Sequence, residues 1–496
     1  MPLVVLSVSD DPSMYMKFPF SGNGPDRHTL TRGSFALALL LASGCTSLDP
    51  AEDLDRAMEI TAPRIGNVMD PAPLLEHDPR IPSSRWNVKV PLDVNTAVMI
   101  AFERDTAIRV AMQEIVARRA ELVDTELPSN PVIGVGIGAE IDGLSGAPST
   151  AMIMQQLTWL WQRPFRMDAA DARRRIAILS AANQAVSLNA QVRIAHTRVF
   201  EAQQDIDITR RQMEISEKTL EIVNRLAEAG ENSLLDVDEA TRSHAETEAA
   251  YQDSLHVLRL RQIKLLATMG MPDFSTKWET IGDFELDSSV PNEKDLVNRA
   301  RLLRLDVAEA AQAVEVAHAN AGLADTRRLP DVGVNLGWHK GFSGRQALVP
   351  GINVSVPLFN NGSPAIAIAD ARTRIALLNL LETERRVVEQ TRTALEQYHR
   401  SDQQARIYRD RVLAPAISAQ ERSQKAYSAG KSSLRVVLAT QHNRFIAERS
   451  LLAHEAEATT DLINLERTVG GSFELPLERP RVETSPPEVD AEDLNS

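Results

Sequence analysis

Two stretches of the chain, 131–161 and 330–359, alternate apolar with small or polar residues at period two, the pattern of strands whose two faces differ. In the first, Ile133, Val135, Ile137, Ala139 and Ile141 oppose Gly134, Gly136, Gly138 and Glu140; in the second, Val332, Val334, Leu336 and Trp338 oppose Gly333, Asn335, Gly337 and His339. Ile352, Val354, Val356 and Leu358, alternating with Gly351, Asn353, Ser355 and Pro357, predict a return strand that makes the second stretch a hairpin. The first return strand is less regular: Gln155 stands between Ile153 and Leu157, with Trp159 and Trp161 beyond it where a membrane-interface girdle would lie.

After each hairpin the period becomes helical and stays so for an unusual distance. Residues 166–228 are 63 positions, about 95 Å of helix at 1.5 Å per residue, and 365–428 match them. Val192, Val199, Ile206, Met213 and Leu220 recur every seven residues, as do Leu381, Val388 and Leu395, so these helices pack as left-handed coiled coils and the stripes are packing surface. Flanking helices over about 96–127 and 233–269 would together equal one long helix. Pro415 predicts a local kink in the second long helix.

These elements form an internal repeat. Pro131-Val132-Ile133-Gly134-Val135 corresponds to Pro330-Asp331-Val332-Gly333-Val334, and Asp171-Ala172-Arg173-Arg174-Arg175-Ile176-Ala177 to Asp370-Ala371-Arg372-Thr373-Arg374-Ile375-Ala376, both at a spacing of 199. At 200, Ala229-Gly230-Glu231-Asn232-Ser233-Leu234 corresponds to Ala429-Gly430-Lys431-Ser432-Ser433-Leu434. The expected organisation is a signal peptide (1–44), an extended proline-rich arm (45–95), a first repeat (96–270, hairpin 131–161, long helix 166–228), a linker (271–292), a second repeat (293–470, hairpin 330–359, long helix 365–428) and a disordered acidic tail (471–496).

Alternation by itself also fits a half-buried soluble sheet. What shifts the balance is strand length of about ten residues together with a secretory leader. Four strands cannot close a barrel, and in lipid each unpaired edge group would cost several kcal/mol, so other subunits must complete it; two chains would supply eight strands and three would supply twelve.

Composition agrees with elongated helix: only 4% of residues are aromatic and 23 are Gly. A net charge of −14 with no basic cluster excludes a nucleic-acid partner. The single cysteine ends the run Phe35-Ala36-Leu37-Ala38-Leu39-Leu40-Leu41-Ala42-Ser43-Gly44-Cys45, preceded by Arg27, His28 and Arg32: a leader too short to span a bilayer as a mature helix. Ala42-Ser43-Gly44-Cys45 resembles a bacterial lipoprotein box, which implies lipidation (palmitate) of Cys45, and Thr46 after it implies sorting to the outer membrane.

The duplicated unit, the steps Leu127-Pro128 and Leu329-Pro330 into the hairpins, Val356-Pro357-Leu358-Phe359-Asn360-Asn361-Gly362 and the two Ala-Gly-x-x-Ser-Leu turns resemble the TolC family of outer-membrane efflux proteins over about 96–470. In the first copy the Pro-Leu-Phe position reads Thr158-Trp159-Leu160. The resemblance implies a mainly α fold with a small membrane β part: a homotrimer whose duplicated helix/β-hairpin/long-helix units form an α-barrel tunnel in the periplasm and a 12-stranded transmembrane β-barrel in the outer membrane. Its implied partners are a periplasmic adaptor (membrane fusion) protein, an inner-membrane efflux pump and outer-membrane lipid. Its implied function is a passive export duct for small toxic compounds or metal ions. A type I polypeptide secretion duct stays open beside it, and a purely structural trimeric coiled-coil anchor would leave the paired hairpins unexplained.

No catalytic residue, metal site or cofactor is expected: the ten histidines are scattered, and Gly134-x-Gly136-x-Gly138 sits within a strand instead of after one. His339 is expected to be a polar residue of the lumen. The resemblance places the turns 229–237 and 429–437 at the periplasmic tip, as gate and adaptor contact. Gly230 and Gly430 end the long helices there, and Asp236, Asp238, Glu239 and Arg435 supply charge. Val436 and Ala439 stand where some family members carry an aspartate ring, so the carboxylates of the first copy are the candidates for a negative constriction.

Overall fold

The structure is a computed structural model that describes residues 49–65, 86–87, 89–139, 146–274, 277–284, 289–356, 358–480 and 482. All belong to one compact unit, Leu48–Ser496. Helix α1 (Ala51–Ile65) precedes the repeat. The first copy is α2 (Val94–Arg104), α3 (Thr106–Glu126), β1 (Val132–Ile137), β2 (Ser149–Gln156), α4 (Trp159–Glu228) and α5 (Leu234–Thr268). The second is α6 (Glu293–Leu303), α7 (Leu305–Asp325), β3 (Asp331–Lys340), β4 (Gln346–Ser355), α8 (Ser363–Ile407), a π-helical turn (Tyr408–Leu413), α9 (Ala414–Ser428) and α10 (Leu434–Thr468). The copies agree residue for residue in three places: α2 and α6 have 11 residues, α3 and α7 have 21, α5 and α10 have 35.

Local chemistry sets these boundaries. The Asp93 carboxylate accepts from Asn95 N and Thr96 N at 3.0 Å and starts α2; Asn292 does the same for α6 through Asp295 N at 3.0 Å. An extended residue breaks each flanking helix, Asp105 (ψ 121°) in the first copy and Arg304 (ψ 130°) in the second. Asp105 then caps α3 by accepting from Ile108 N at 2.9 Å. The breaks are the joints at which short helices stack. Arg104 Nε donates to Gly270 O at 3.1 Å beyond the end of α5, and Arg304 donates to Thr468 O at 3.4 Å at the end of α10. Cations thus satisfy carbonyls that each helix terminus leaves open.

The joints demand glycine. Gly470 has φ 94°, and a Cβ there would lie 2.9 Å from the Leu303 carbonyl carbon, whereas Gly430, φ 69°, has nothing within 4 Å of that point. Gly430→Ala is therefore expected to cost about 1 kcal/mol, the left-handed backbone penalty alone, and Gly470→Ala about 2 kcal/mol or more, because overlap is added. Comparing denaturation midpoints of the two variants checks this; equal losses would refute the role of the joint.

The helices form a wall four columns wide. α3 and α5 pack against α4, α4 packs in turn against α7 and α10, and these pack against α8. Pairs Arg193–Glu466 (2.7 Å) and Arg449–Asp205 (2.7 Å) cross from the first copy to the second. The main core lies around the stacking joints, where Ile100, Ile115, Ile178, Leu179, Val192, Leu265 and Met269 are almost wholly buried. Along α4, Val192 and Val199 are buried and Ile206, Met213 and Leu220 half-buried. On α8 the stripe is mixed: Leu395 is buried and Val388 half-buried, but Leu381 faces outward.

Several expected boundaries differ. The first long helix begins at Trp159 instead of 166, so Trp159 and Trp161 lie on its first turns and not on the return strand, which ends at Gln156. The chain turns there because Val332 claims both flanking groups: its carbonyl accepts from Leu157 N at 2.8 Å and its N–H donates to Thr158 Oγ1 at 3.1 Å. Residues 51–65 are helix rather than extended arm. Their prolines are absent until Pro63 in the last turn, and Asp49 accepts from Ala51 N at 2.9 Å to start the helix. Within the tail, Leu475 and Val482 are buried, and Arg299 donates to Leu475 O at 2.5 Å, so an apolar anchor orders this part; 483–496 lie outside the described residues. Pro415 does interrupt the α-helical ladder. The six residues Tyr408–Leu413 adopt π geometry just before it, which moves the carbonyls away from the ring.

Candidate functional site

Two surfaces carry the function-bearing features. The first is the sheet, antiparallel in the order β1-β2-β3-β4. Register aligns Ile133 with Ile153, Ile153 with Leu336 and Leu336 with Pro350; Val135, Ala151, Trp338 and Leu348 form the next row. These rows make one continuous apolar face, and Ile133, Val135 and Ile137 on it are 72–80% exposed. The opposite face carries Gly134, Met152, Gly337 and Val349 in one row and Gly136, Thr150, His339 and Ala347 in another. His339 thus lies on the small and polar face. Gln155 is the polar exception on the apolar face, and its amide donates to Ser129 O at 2.8 Å beside the sheet. Ile141 and Glu140, expected to continue β1, lie outside the described residues, as does Pro357. Only β3 and β4 reach the expected ten residues, about 33 Å, which at a tilt of about 45° gives the apolar band of about 25 Å that a bilayer needs; β1 and β2 are shorter, with six and eight residues. No described helix is long and apolar enough to cross a membrane.

Both ends of this sheet are open among the described residues. Pro350, which cannot donate to a ladder, lies on β4, the last strand of the sheet. Edge β1 follows α3, on the flank of the helical wall that also exposes Val110, Leu260 and Ile263; edge β4 precedes α8, which exposes Ile368, Ile375, Leu378 and Leu381. Two unpaired backbone edges therefore coincide with two unpartnered apolar helix flanks. The heptad spacing of α8 predicts packing surface but does not separate the part used inside the chain from the part turned outward. Burial of Thr383, Val387, Thr391 and Leu395 marks the inner face.

The second surface is the tip where long helices reverse. Gly230 (φ 76°) and Gly430 (φ 69°) close both turns, with Glu231 N donating to Leu226 O at 2.9 Å and Lys431 N to Ala426 O at 2.8 Å. Val223, Ala240 and Leu434 bury themselves between the turns, and Asn232 Nδ2 donates to Tyr427 Oη at 2.9 Å, so one chain brings its two tips together. Asp236 is used locally. Its carboxylate accepts from Ser233 N at 3.1 Å and from Ser233 Oγ at 2.7 Å, while Asp236 N donates to Ser233 Oγ at 3.2 Å, a closed capping box. Asp238 and Arg435 are exposed and Glu239 half-buried, and none of the three forms an ion pair among the described residues. Sequence reasoning missed that Leu234 and Leu235 are 80% and 71% exposed while the equivalent Leu434 is buried. Two successive leucines directly after a cap were the available signal, since consecutive helical positions cannot both face one partner.

No group of three or more His, Cys, Asp or Glu suited to a metal exists among the described residues. Cys45 lies outside them.

Against this geometry the comparisons are specific. Residues 296–471, most of the second copy, match the family model described as outer membrane efflux protein. No curated protein matches the chain in sequence. Among solved structures, the outer-membrane channel OprN is similar at a TM-score of 0.67 and 19% identity, over 76% of this chain and 90% of that one. The outer membrane protein VceC of Vibrio cholerae gives 0.65 and 16%, over 77% and 97%. CusC, whose crystal structures address transmembrane channel formation, gives 0.65 and 16%, over 82% and 98%.

Proposed function

We propose that this chain, an outer-membrane efflux protein by the matched sequence of its second repeat and by the fold of both, is one protomer of a homotrimeric duct. The duct serves a tripartite efflux system and is a passive conduit for small toxic compounds or metal ions that an inner-membrane pump expels. The carrying observation is the coincidence of open edges and apolar flanks on both sides of the wall. A second copy is the occupant that fits, since β1 of one chain and β4 of the next can pair while the α3/α5 flank covers the α8 stripe. Head-to-tail contacts of this kind close into a ring. Three copies give twelve strands, and every backbone edge is then satisfied in lipid.

The remaining parts take positions along this duct. The tip meets a periplasmic adaptor, with Leu234 and Leu235 as the apolar contact and Arg435 beside them. Asp238 and Glu239 form the negative constriction; Asp236 supports it by capping α5. Cys45 carries lipid.

Chemical cross-linking of the membrane-embedded chain is expected to trap a three-chain species, and the mass of that species to include a diacylglyceryl-modified Cys45 as first residue. A Leu378→Lys, Leu381→Lys variant is expected to shift the product to monomer. A stable monomer of the unaltered chain that keeps its strand signal would overturn the duct, and an unmodified cysteine would remove the anchor alone.

A further inference from the structure

Where the N-terminal helix meets both repeats, the wall encloses a cavity of about 390 Å³ lined by residues of α1, α2, α4 and α10 and by Gly471 and Ser472. Its charge is unbalanced. Arg64 is buried, with its Nη atoms turned to the Ile60 and Leu303 carbonyls and its Nε without any hydrogen-bond partner. Arg467, at the exposed rim, has no hydrogen bond or carboxylate partner among the described residues. Arg193 is paired with Glu466 at 2.7 Å, and that carboxylate is the one acidic group among the described residues of the lining. Arg64 and Arg467 are thus two guanidinium groups of the lining with no carboxylate partner among the described residues. Burial lowers Arg64 to about 10, and burial together with the nearby Arg304 lowers Arg467, the direction expected for cations lacking a counter-ion. Asn189 and Ser472 add neutral hydrogen-bonding groups to the lining. The N-terminal amides of α2 take no part, because Asp93 already occupies Asn95 N and Thr96 N.

A buried, unpaired guanidinium is costly unless something with negative charge completes it. We propose that this cavity binds a soluble oxyanion, inorganic phosphate or a phosphate monoester, held by Arg64 from beneath and Arg467 from the rim. Arg467 offers a free planar fork, which suits a tetrahedral oxyanion, and Arg64 the N–H groups that its two carbonyl contacts leave over. The anion would join α1 and the first copy to the end of α10, and so staple the two repeats where their core is shared. A membrane phospholipid headgroup has the same chemistry but sits at the wrong height. Asn189 and Arg193 lie at least 30 residues along α4 from Trp159, about 45 Å below the barrel at 1.5 Å per residue.

Isothermal titration of the full chain in detergent with sodium phosphate, against sodium chloride at equal ionic strength, tests the site. Saturable binding of one phosphate per chain is expected, weakened at least tenfold in Arg467→Gln, whose side chain lies at an exposed position and whose assembly gel filtration can confirm. Arg64→Gln is expected to abolish binding, and the phosphate-dependent rise in melting temperature should vanish with it. Absence of saturable heat beyond the chloride control, or unchanged affinity in Arg467→Gln, would overturn the proposal. Competition by phosphatidylglycerol micelles would assign the cavity to lipid and also overturn it; glycerol 3-phosphate, lacking acyl chains, is expected to compete.

Discussion

Replacing Arg174 with methionine is expected to release the N-terminal helix from the wall at a cost of about 3–5 kcal/mol, the range for leaving one member of a buried ion pair alone. Arg174 is 3% and Asp53 1% exposed, and they bond directly to each other. Arg174 also donates to Asp171 Oδ1 through Nη2 at 2.6 Å and through Nε at 2.9 Å. Burial alone would raise Asp171, but the Arg174 and Arg175 guanidiniums more than offset it and hold the carboxyl below its ordinary value. The second partner of Asp53, Arg119, is 3.8 Å away and leaves Oδ2 without a hydrogen bond. Arg174→Met therefore strands a carboxylate with almost no water contact. Amide exchange in Ala51–Ile65 should accelerate by about a hundredfold or more, since each 1.4 kcal/mol is a factor of ten in opening. The double variant Asp53→Leu, Arg174→Met is expected to recover most of the loss, because an apolar pair of similar volume can replace a buried ion pair without penalty. Equal exchange in the single variant and the parent would refute the clamp. If the double variant exchanged as fast as the single one, packing and not charge would hold the helix.

The same residues show how far a sequence can be read. Asp171 to Ala177 and Asp370 to Ala376 were legible as repeats because spacing in a duplicated chain is a property of the chain itself. Their fates were not legible. In the first copy Arg174 is sealed under α1; in the second, Thr373 occupies the equivalent site and donates to Ala317 O at 3.3 Å on a half-open surface. What separates them is a helix that docks from outside the repeat, and docking is a tertiary event that local periodicity does not encode. Strand faces were readable for the opposite reason: period two fixes which residues share a face before any partner is known. Trp159 and Trp161 mark the limit, since the strand-to-helix switch depends on Val332, 173 and 171 residues away in sequence. At the tip, Asp236 reads in sequence as one of several charges, and only its bonds with Ser233 assign it to the cap of α5. Charge alone was a weak guide there. The exposed Leu234 and Leu235 carry more information about what the tip meets, because apolar area left in water favours a partner that covers it.

Glu309 should make the tunnel wall less stable as pH rises from about 4.5 to about 7, and Glu309→Gln should remove that dependence. The residue lies on α7 against α4. Burial raises its carboxyl to about 7, the neighbouring Asp306 adds to the rise, and a hydrogen bond with Asn183 opposes it. One oxygen, Oε1, has no partner, which fits a group that is neutral in the folded chain. A pKa above the unfolded value of 4.5 means that the folded state holds a proton the unfolded chain gives up. Stability from this group is therefore complete below about 4.5, falls through the window and is gone above about 7, the reverse of the usual paired carboxylate. The difference amounts to about 3 kcal/mol at most, from about 1.4 kcal/mol per pKa unit. Melting temperatures of parent and Glu309→Gln, measured in detergent between pH 5 and 8, should converge at the acidic end and separate towards pH 8 with the variant higher. Parallel curves across that range would show that Glu309 ionises without strain and that water reaches it between the two copies.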